Sequence, residues 1–157
     1  MKIKLKATLL IPLLLLISCV DQGFDSEKYR QEVLSLHRQM INAHLEKDVA
    51  HFVEDIAPDY FQVQGGDIKR PSKQEIVDRF SNYLNNTTFT RYEDMREPII
   101  GFSDDGSLAW IVVQVKIAGS RLTDGQDVDL NFTAAWITLY RREEEKWIRM
   151  LEVDNFR

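Results

Sequence analysis

Apolar and polar positions recur with two different periods along this chain, and the change falls near Thr87. Before it, Val33, Leu36, Met40, Ile41 and Leu45, with His37 and His44 on the same stripe, follow three-and-four spacing. That spacing predicts one amphipathic helix from about Ser26, its expected N-cap, to Glu46. Lys47-Asp48 interrupts the stripe, and Asp48 is expected to cap a short helix from Val49 to about Ile56, closed by Pro58. Tyr60 to Gln64 reads as a short strand turned by Gly65-Gly66, and Ile68 to Arg70 as a second small one. Pro71-Ser72 opens a third helix: Ser72 and Glu75 form a capping box, and Ile76, Phe80, Tyr83 and Leu84 mark its buried side.

After Thr87 the period is two. Phe89 to Phe102 is expected as one long strand, bulged near Pro98, followed by a tight turn at Asp104-Asp105-Gly106. Leu108 to Ala118, Val128 to Tyr140 and Trp147 to Phe156 are the next strands, joined by a polar loop at Gly119 to Gln126 and a charged turn at Arg141 to Lys146. Helices first and a four-stranded meander afterwards define an α+β fold, with about three N-terminal helices packed on one face of a curved antiparallel sheet.

The two middle strands are apolar on both faces. Ala109, Ile111, Val113, Val115 and Ile117 share one face; Leu108, Trp110, Val112, Gln114 and Lys116 share the other. Phe132, Trp136 and Tyr140 likewise oppose Thr133, Ala135, Ile137 and Leu139. A sheet with one wet side does not need this. One face must meet the helices, and the other is expected to meet a second copy in a homodimer, with closer packing by the tether or loops as the alternative.

The first residues carry a different signal. Lys2, Lys4 and Lys6 precede an apolar run from Leu9 to Ile17, and small Ser18 precedes the single cysteine, Cys19. The run is shorter than the ~20 residues a membrane-spanning helix needs, and its basic flank fits a cleaved signal. Leu16-Ile17-Ser18-Cys19 resembles the lipobox of bacterial lipoproteins. The resemblance implies that residues 1–18 are removed and that Cys19 carries diacylglycerol, followed by a short tether (residues 19–25) and one domain (26–157). It places the protein in the cell envelope. Val20 rather than Asp after the cysteine favours the outer membrane over the inner.

Losing the three lysines of residues 1–18 takes the formal charge from −5 to −8. So acidic a domain repels phosphate backbones, which argues against nucleic acid as a partner. No metal-ligand spacing occurs: His37, His44 and His51 lie seven apart, not the three or four that places two ligands on one turn. Neither metal nor cofactor is expected.

The element order resembles the nuclear transport factor 2 superfamily, in its polyketide-cyclase-like (SnoaL-like) and ketosteroid-isomerase-like branch. The likeness is carried by the helix running into Leu45-Glu46-Lys47-Asp48, by Ala57-Pro58-Asp59-Tyr60-Phe61, by Asp104 to Trp110, and by the strands around Ala135-Trp136 and Lys146-Trp147. It implies a cone-shaped, cystatin-like α+β barrel with a pocket between the first helix and the sheet, often dimeric. The places of the isomerase's tyrosine, base and protonated acid fall near Met40, Gln64 and Trp136. None of these can play the original part, so that mechanism is not expected even where the pocket survives.

Other residues could carry chemistry there. On the last strand, Ile148, Met150, Glu152, Asp154 and Phe156 share one face by parity, and the resemblance turns that face to the pocket. Glu152 and Asp154, about 7 Å apart along such a strand, would raise each other's pKa if crowded in an apolar cone, or stay ordinary at a wet rim. His44 is placed to meet Asp154 as an acid–base pair, or to sit in the core on a backbone hydrogen bond. Trp110, Phe132 and Trp136 are expected as an aromatic wall, Gln64 and Gln114 as orienting amides, and Met40 and Met150 as further lining. The wall either encloses a cavity for a small apolar ligand or fills the cone. Three functions follow: a lipid-anchored domain binding a small apolar ligand or a protein partner; an isomerase, cyclase or dehydratase using His44 with Glu152 or Asp154; or an interaction subunit working through its outer sheet.

Overall fold

The computed structural model describes residues 24–156, so the expected signal segment, Cys19 and most of the tether lie outside the described residues. The chain runs α1 (Ser26–Glu46), α2 (His51–Glu54), β1 (Ile56–Gln64), β2 (Asp67–Lys69), α3 (Lys73–Asn85), β3 (Thr87–Asp94), β4 (Ile99–Phe102), β5 (Leu108–Thr123), β6 (Gln126–Glu143) and β7 (Lys146–Phe156). The seven strands form one curved, unclosed sheet in the order β2-β1-β7-β6-β5-β3, with β4 also on β5. The α+β architecture is therefore the expected one. No helix among the described residues is long and apolar enough to cross a membrane.

Local chemistry sets the helix ends. Asp25, not Ser26, caps α1, accepting a hydrogen bond from the Lys28 amide at 3.0 Å, and Lys47 closes the helix in the left-handed conformation. Ser72 and Glu75 make the reciprocal capping box of α3. The second helix is shorter than its pattern: Asp55 ends it, and β1 already begins at Ile56. Pro58 sits exposed in an irregular stretch of that strand, where pairing with β7 shifts between Ile56 and Phe61.

Three features of the sheet depart from expectation. The segment expected as one strand from Phe89 is two, because the chain leaves the edge of β5 after Asp94 and returns at Ile99, around Pro98, which has no amide hydrogen to donate. The polar stretch Gly119 to Gln126 is mostly strand: β5 and β6 stay paired to Thr123↔Gln126, and Asp124-Gly125 turns with φ of 50° and 78°. Positive φ at both central residues is the hairpin turn that Asp-Gly favours. Lastly, the sheet is mixed rather than antiparallel, since β1 pairs with β7 in parallel.

Parity then decides what faces the helices. On β5 the odd residues Ala109 to Ile117 are buried, and on β6 Ala134, Thr138 and Tyr140 are buried. Towards one end, Val33 of α1 packs with Ile111, Val113, Tyr140 and Trp147. Towards the other, Ala43, Phe52, Ile56, Tyr60, Ile76 and Leu84 form a second cluster that joins the three helices to β1. A tight seat fixes the start of α1: Gly106, at φ +69°, lies so close to Phe24 that a Cβ there would come within 2.3 Å of its ring.

Candidate functional site

Between these helices and the sheet a cavity of about 380 Å³ remains open. That lies within the range of small-molecule sites. Helix α1 contributes Met40 and His44; α2 contributes Phe52; α3 contributes Arg79, Phe80, Asn82 and Tyr83. Strands β3, β5 and β6 add Tyr92, Ile117, Arg121, Phe132, Ala134 and Trp136. Polar groups concentrate on the parallel pair, with Gln62 and Gln64 from β1 and Arg149, Glu152 and Asp154 from β7.

Met40, His44, Gln64, Phe132, Trp136, Glu152 and Asp154 thus line the cavity as the sequence suggested. Trp110, Gln114 and Met150 do not. Trp110 and Gln114 are even residues of β5, whose odd residues face the helices. Trp110 lies over Gly101 on the other face, where an added Cβ would meet its ring at 2.1 Å. Met150 is the extra residue of a bulge: Leu139 pairs with Leu151, but the next residue, Tyr140, pairs with Arg149. The bulge reverses parity along β7. Arg149 rather than Ile148 and Met150 therefore shares the inner face with Glu152 and Asp154.

Arg149 is the buried hub of the site. Its guanidinium donates to Glu152 Oε1 at 3.2 Å, to Asp55 Oδ1 at 3.0 Å and to the Phe52 carbonyl at 2.6 Å. Its Nε has no partner among the described residues. Glu152 also accepts from the Tyr60 hydroxyl at 2.5 Å and from Gln62 Nε2 at 3.3 Å. Burial opposes the charge of Glu152, but Arg149 and these hydrogen bonds outweigh it and hold the carboxyl below its usual range. Glu152 is a fixed anion, a weak proton acceptor at neutral pH.

Asp154 behaves differently. Burial, and then the neighbouring charge of Glu152, raise its pKa to about 6, against smaller opposing effects of Arg79 and Arg149. Its hydrogen bond is a long one from Gln64 Nε2, at 3.4 Å. The two carboxylates share the inner face as expected, but only the outer one is pushed up, because Arg149 neutralises the inner one.

His44 does not pair with Asp154. Its Nδ1–H donates to the Met40 carbonyl at 2.8 Å, which fixes the tautomer and leaves Nε2 to accept from the Tyr92 hydroxyl at 3.3 Å. The ring stacks on Tyr92 with centroids 4.4 Å apart. Burial outweighs the backbone bond and lowers its pKa to about 4, so His44 is a neutral, hydrogen-bonded wall residue. No group of acids, histidines and cysteines able to hold a metal occurs among the described residues.

Sequence reasoning passed over Tyr60, Gln62, Arg79, Tyr92 and Arg149. Two signals were present. Arg149 is the one cation inside the apolar last strand, and Gln62 has the same parity as Gln64.

No protein-family model matches the chain, and no curated protein matches it in sequence. Solved structures match in fold. LinA does so with a TM-score of 0.66 at 13% identity, over 83% of this chain and 87% of LinA. An NTF2-like protein from Cytophaga hutchinsonii gives 0.63 at 13%, over 80% and 96%. A protein with a cystatin-like fold from Caulobacter vibrioides gives 0.64 at 15%, over 83% and 90%. The chain has the NTF2-like, cystatin-like fold, and at these identities the likeness carries nothing about activity.

Proposed function

We propose that this domain binds a small, largely apolar molecule in the cavity between α1, α3 and the sheet. The single observation that carries the reading is the open cavity of about 380 Å³, walled by Phe80, Tyr83, Phe132 and Trp136, with its polar groups gathered on the β1–β7 pair and at the α3 rim. An aromatic lining with a few clustered polar groups suits an apolar body and orients one polar end. Titration with the neutral fluorophore N-phenyl-1-naphthylamine tests it. Saturable enhancement at one probe per chain is expected; a linear, non-saturating signal would remove the reading.

A second reading rests on Asp154. A carboxyl titrating near neutrality on the wall of an aromatic cavity can give and take a proton, as an isomerase, cyclase or dehydratase requires. In that reading Asp154 acts alone, since Glu152 is ion-paired and His44 is committed to Met40 and Tyr92. Turnover that follows an apparent pKa near 6 and is lost in Asp154→Asn supports it.

The lipobox resemblance further supports a lipid anchor on Cys19, holding the domain in the cell envelope. Metabolic labelling with palmitate, lost in Cys19→Ala, tests that placement. The half-buried outer residues Trp110, Val112, Ile137 and Leu139 support a homodimer through the sheet. Sedimentation of Ile137→Glu against the parent protein tests the dimer.

A further inference from the structure

We infer that the molecule taken by this cavity is an apolar carboxylate whose acid group is held by Arg79 and Arg121. The inference rests on the pocket reading above and names the class of ligand for that site. Three arginines line the cavity, and they are not equivalent. Arg149 is saturated with anions, having Glu152 and Asp55 within ion-pairing distance. Arg79 and Arg121 have no carboxylate within 4.0 Å among the described residues. Arg79 gives one hydrogen bond, to the neutral amide oxygen of Gln62 at 2.9 Å.

Both arginines lie along the α3 rim of the cavity, and Asp154 feels Arg79 only from beyond ion-pairing distance. Arg79 lies 5.2 Å from the ring of Phe80 and Arg121 lies 5.4 Å from the ring of Tyr83. Those two rings are neighbours on α3, with centroids 6.5 Å apart. Arg79 and Asn82 are exposed, which marks this rim as the opening, whereas Phe52, Ile117 and Ala134 are buried further in.

In a protein of formal charge −5, two arginines at the mouth of an aromatic-walled cavity, with no carboxylate within 4.0 Å among the described residues, are a local excess of positive charge. A guanidinium within cation–π range of an aromatic ring is partly positioned by it, and its planar fork suits a planar oxyanion. A carboxylate there leaves its apolar body pointing inward, onto Phe80, Phe132 and Trp136.

Isothermal titration of the purified protein at neutral pH tests this with 3-phenylpropanoate and octanoate, each against its primary amide. Matched pairs keep the apolar body and change only the charge. Each acid should bind about tenfold or more tighter than its amide. In Arg79→Gln/Arg121→Gln that ratio should fall towards one, while Arg79→Lys/Arg121→Lys, which keeps both charges, should retain most of it. Equal binding of acid and amide, or an undiminished ratio in the glutamine variant, would overturn the carboxylate assignment and leave the pocket reading standing. Failure of all four compounds to bind at millimolar concentration would overturn both.

Discussion

Arg149 Nη1 lies 3.2 Å from Glu152 Oε1, a buried cation and a half-buried anion three residues apart on one strand. Regular β-geometry would place residues three apart on opposite faces. The bulge at Met150 brings them to the same one. The pair then draws in Asp55 from the end of α2 and Tyr60 from β1, so the parallel β1–β7 junction is tied by side chains as well as by its ladder.

Arg149→Met should therefore destabilise the protein strongly. It leaves Glu152 and Asp55, both half-buried, without their buried cation; breaking a fully buried pair costs about 3–5 kcal/mol, and the loss here should approach the lower end of that range. Glu152→Gln should cost less, because an amide carbonyl can still accept from Tyr60 and Arg149 retains Asp55. Urea unfolding of the two variants checks the order. A loss in Arg149→Met no larger than in Glu152→Gln would mean that the hub is not what holds this junction.

Asp154 and His44 should tilt stability against pH in opposite directions over nearly the same range. Asp154 moves from 3.8 to about 6, chiefly through burial and then Glu152, so across that window the native protein holds a proton the unfolded chain has released. Its contribution to stability falls as pH rises. His44 moves from 6.5 to about 4 through burial, so there the unfolded chain holds the extra proton and stability rises with pH. The groups acting on Asp154 are Glu152 and Arg149 of its own strand, Gln64 of β1 and Arg79 of α3. Between about pH 4 and about pH 7, the stability of Asp154→Asn relative to the parent should climb, and that of His44→Gln should decline. Parallel urea-midpoint profiles for the three proteins would refute the opposition.

Much of this fold and part of its site were legible in the residues themselves. The α1 stripe, the Ser72–Glu75 box and the alternation in β5 and β6 gave elements close to those observed, because each is a local pattern with a local cause. What alternation lacks is a sign. β5 is apolar on both faces, so parity grouped Trp110 with Gln114 correctly and could not say which group faced the helices. Met150 fails for another reason. A bulge is fixed by how β7 meets two strands at once, and nothing in Trp147 to Phe156 marks the extra residue. The carboxylates beyond the bulge kept their parity with each other, which is why Glu152 and Asp154 were placed correctly and Arg149 was missed.

His37 offers a contrast with the hub. It is buried, and its Nε2 lies 2.8 Å from Asp94 Oδ1, fastening α1 to the end of β3 outside the cavity lining. Asp94 is 28% exposed where Glu152 is 16% exposed, so water can recover much of its hydration when the partner is removed. His37→Leu should cost about 1–3 kcal/mol, less than Arg149→Met, with probe binding in the cavity retained. Loss of probe binding at full folding would instead tie His37 to the site, through its ring contact with Trp136 at 6.2 Å.

The cavity itself can be closed from a residue that takes no part in the polar network. Ala134 is buried on β6 between Phe132 and Trp136, and its side chain is a single methyl on the cavity wall. Ala134→Phe puts a ring into space that is otherwise open, so the overpacking penalty of ~1–3 kcal/mol should fall at or below its lower end. The variant should keep the parental circular dichroism and melt within a few degrees of the parent. It should also lose saturable N-phenyl-1-naphthylamine enhancement, along with binding of 3-phenylpropanoate. Loss of binding together with loss of fold would be uninformative, so Ala134→Leu serves as a smaller step, expected to weaken binding by an intermediate factor. Undiminished binding in a folded Ala134→Phe protein would place the ligand elsewhere, and the space between α1, α3 and the sheet would then be only a packing defect.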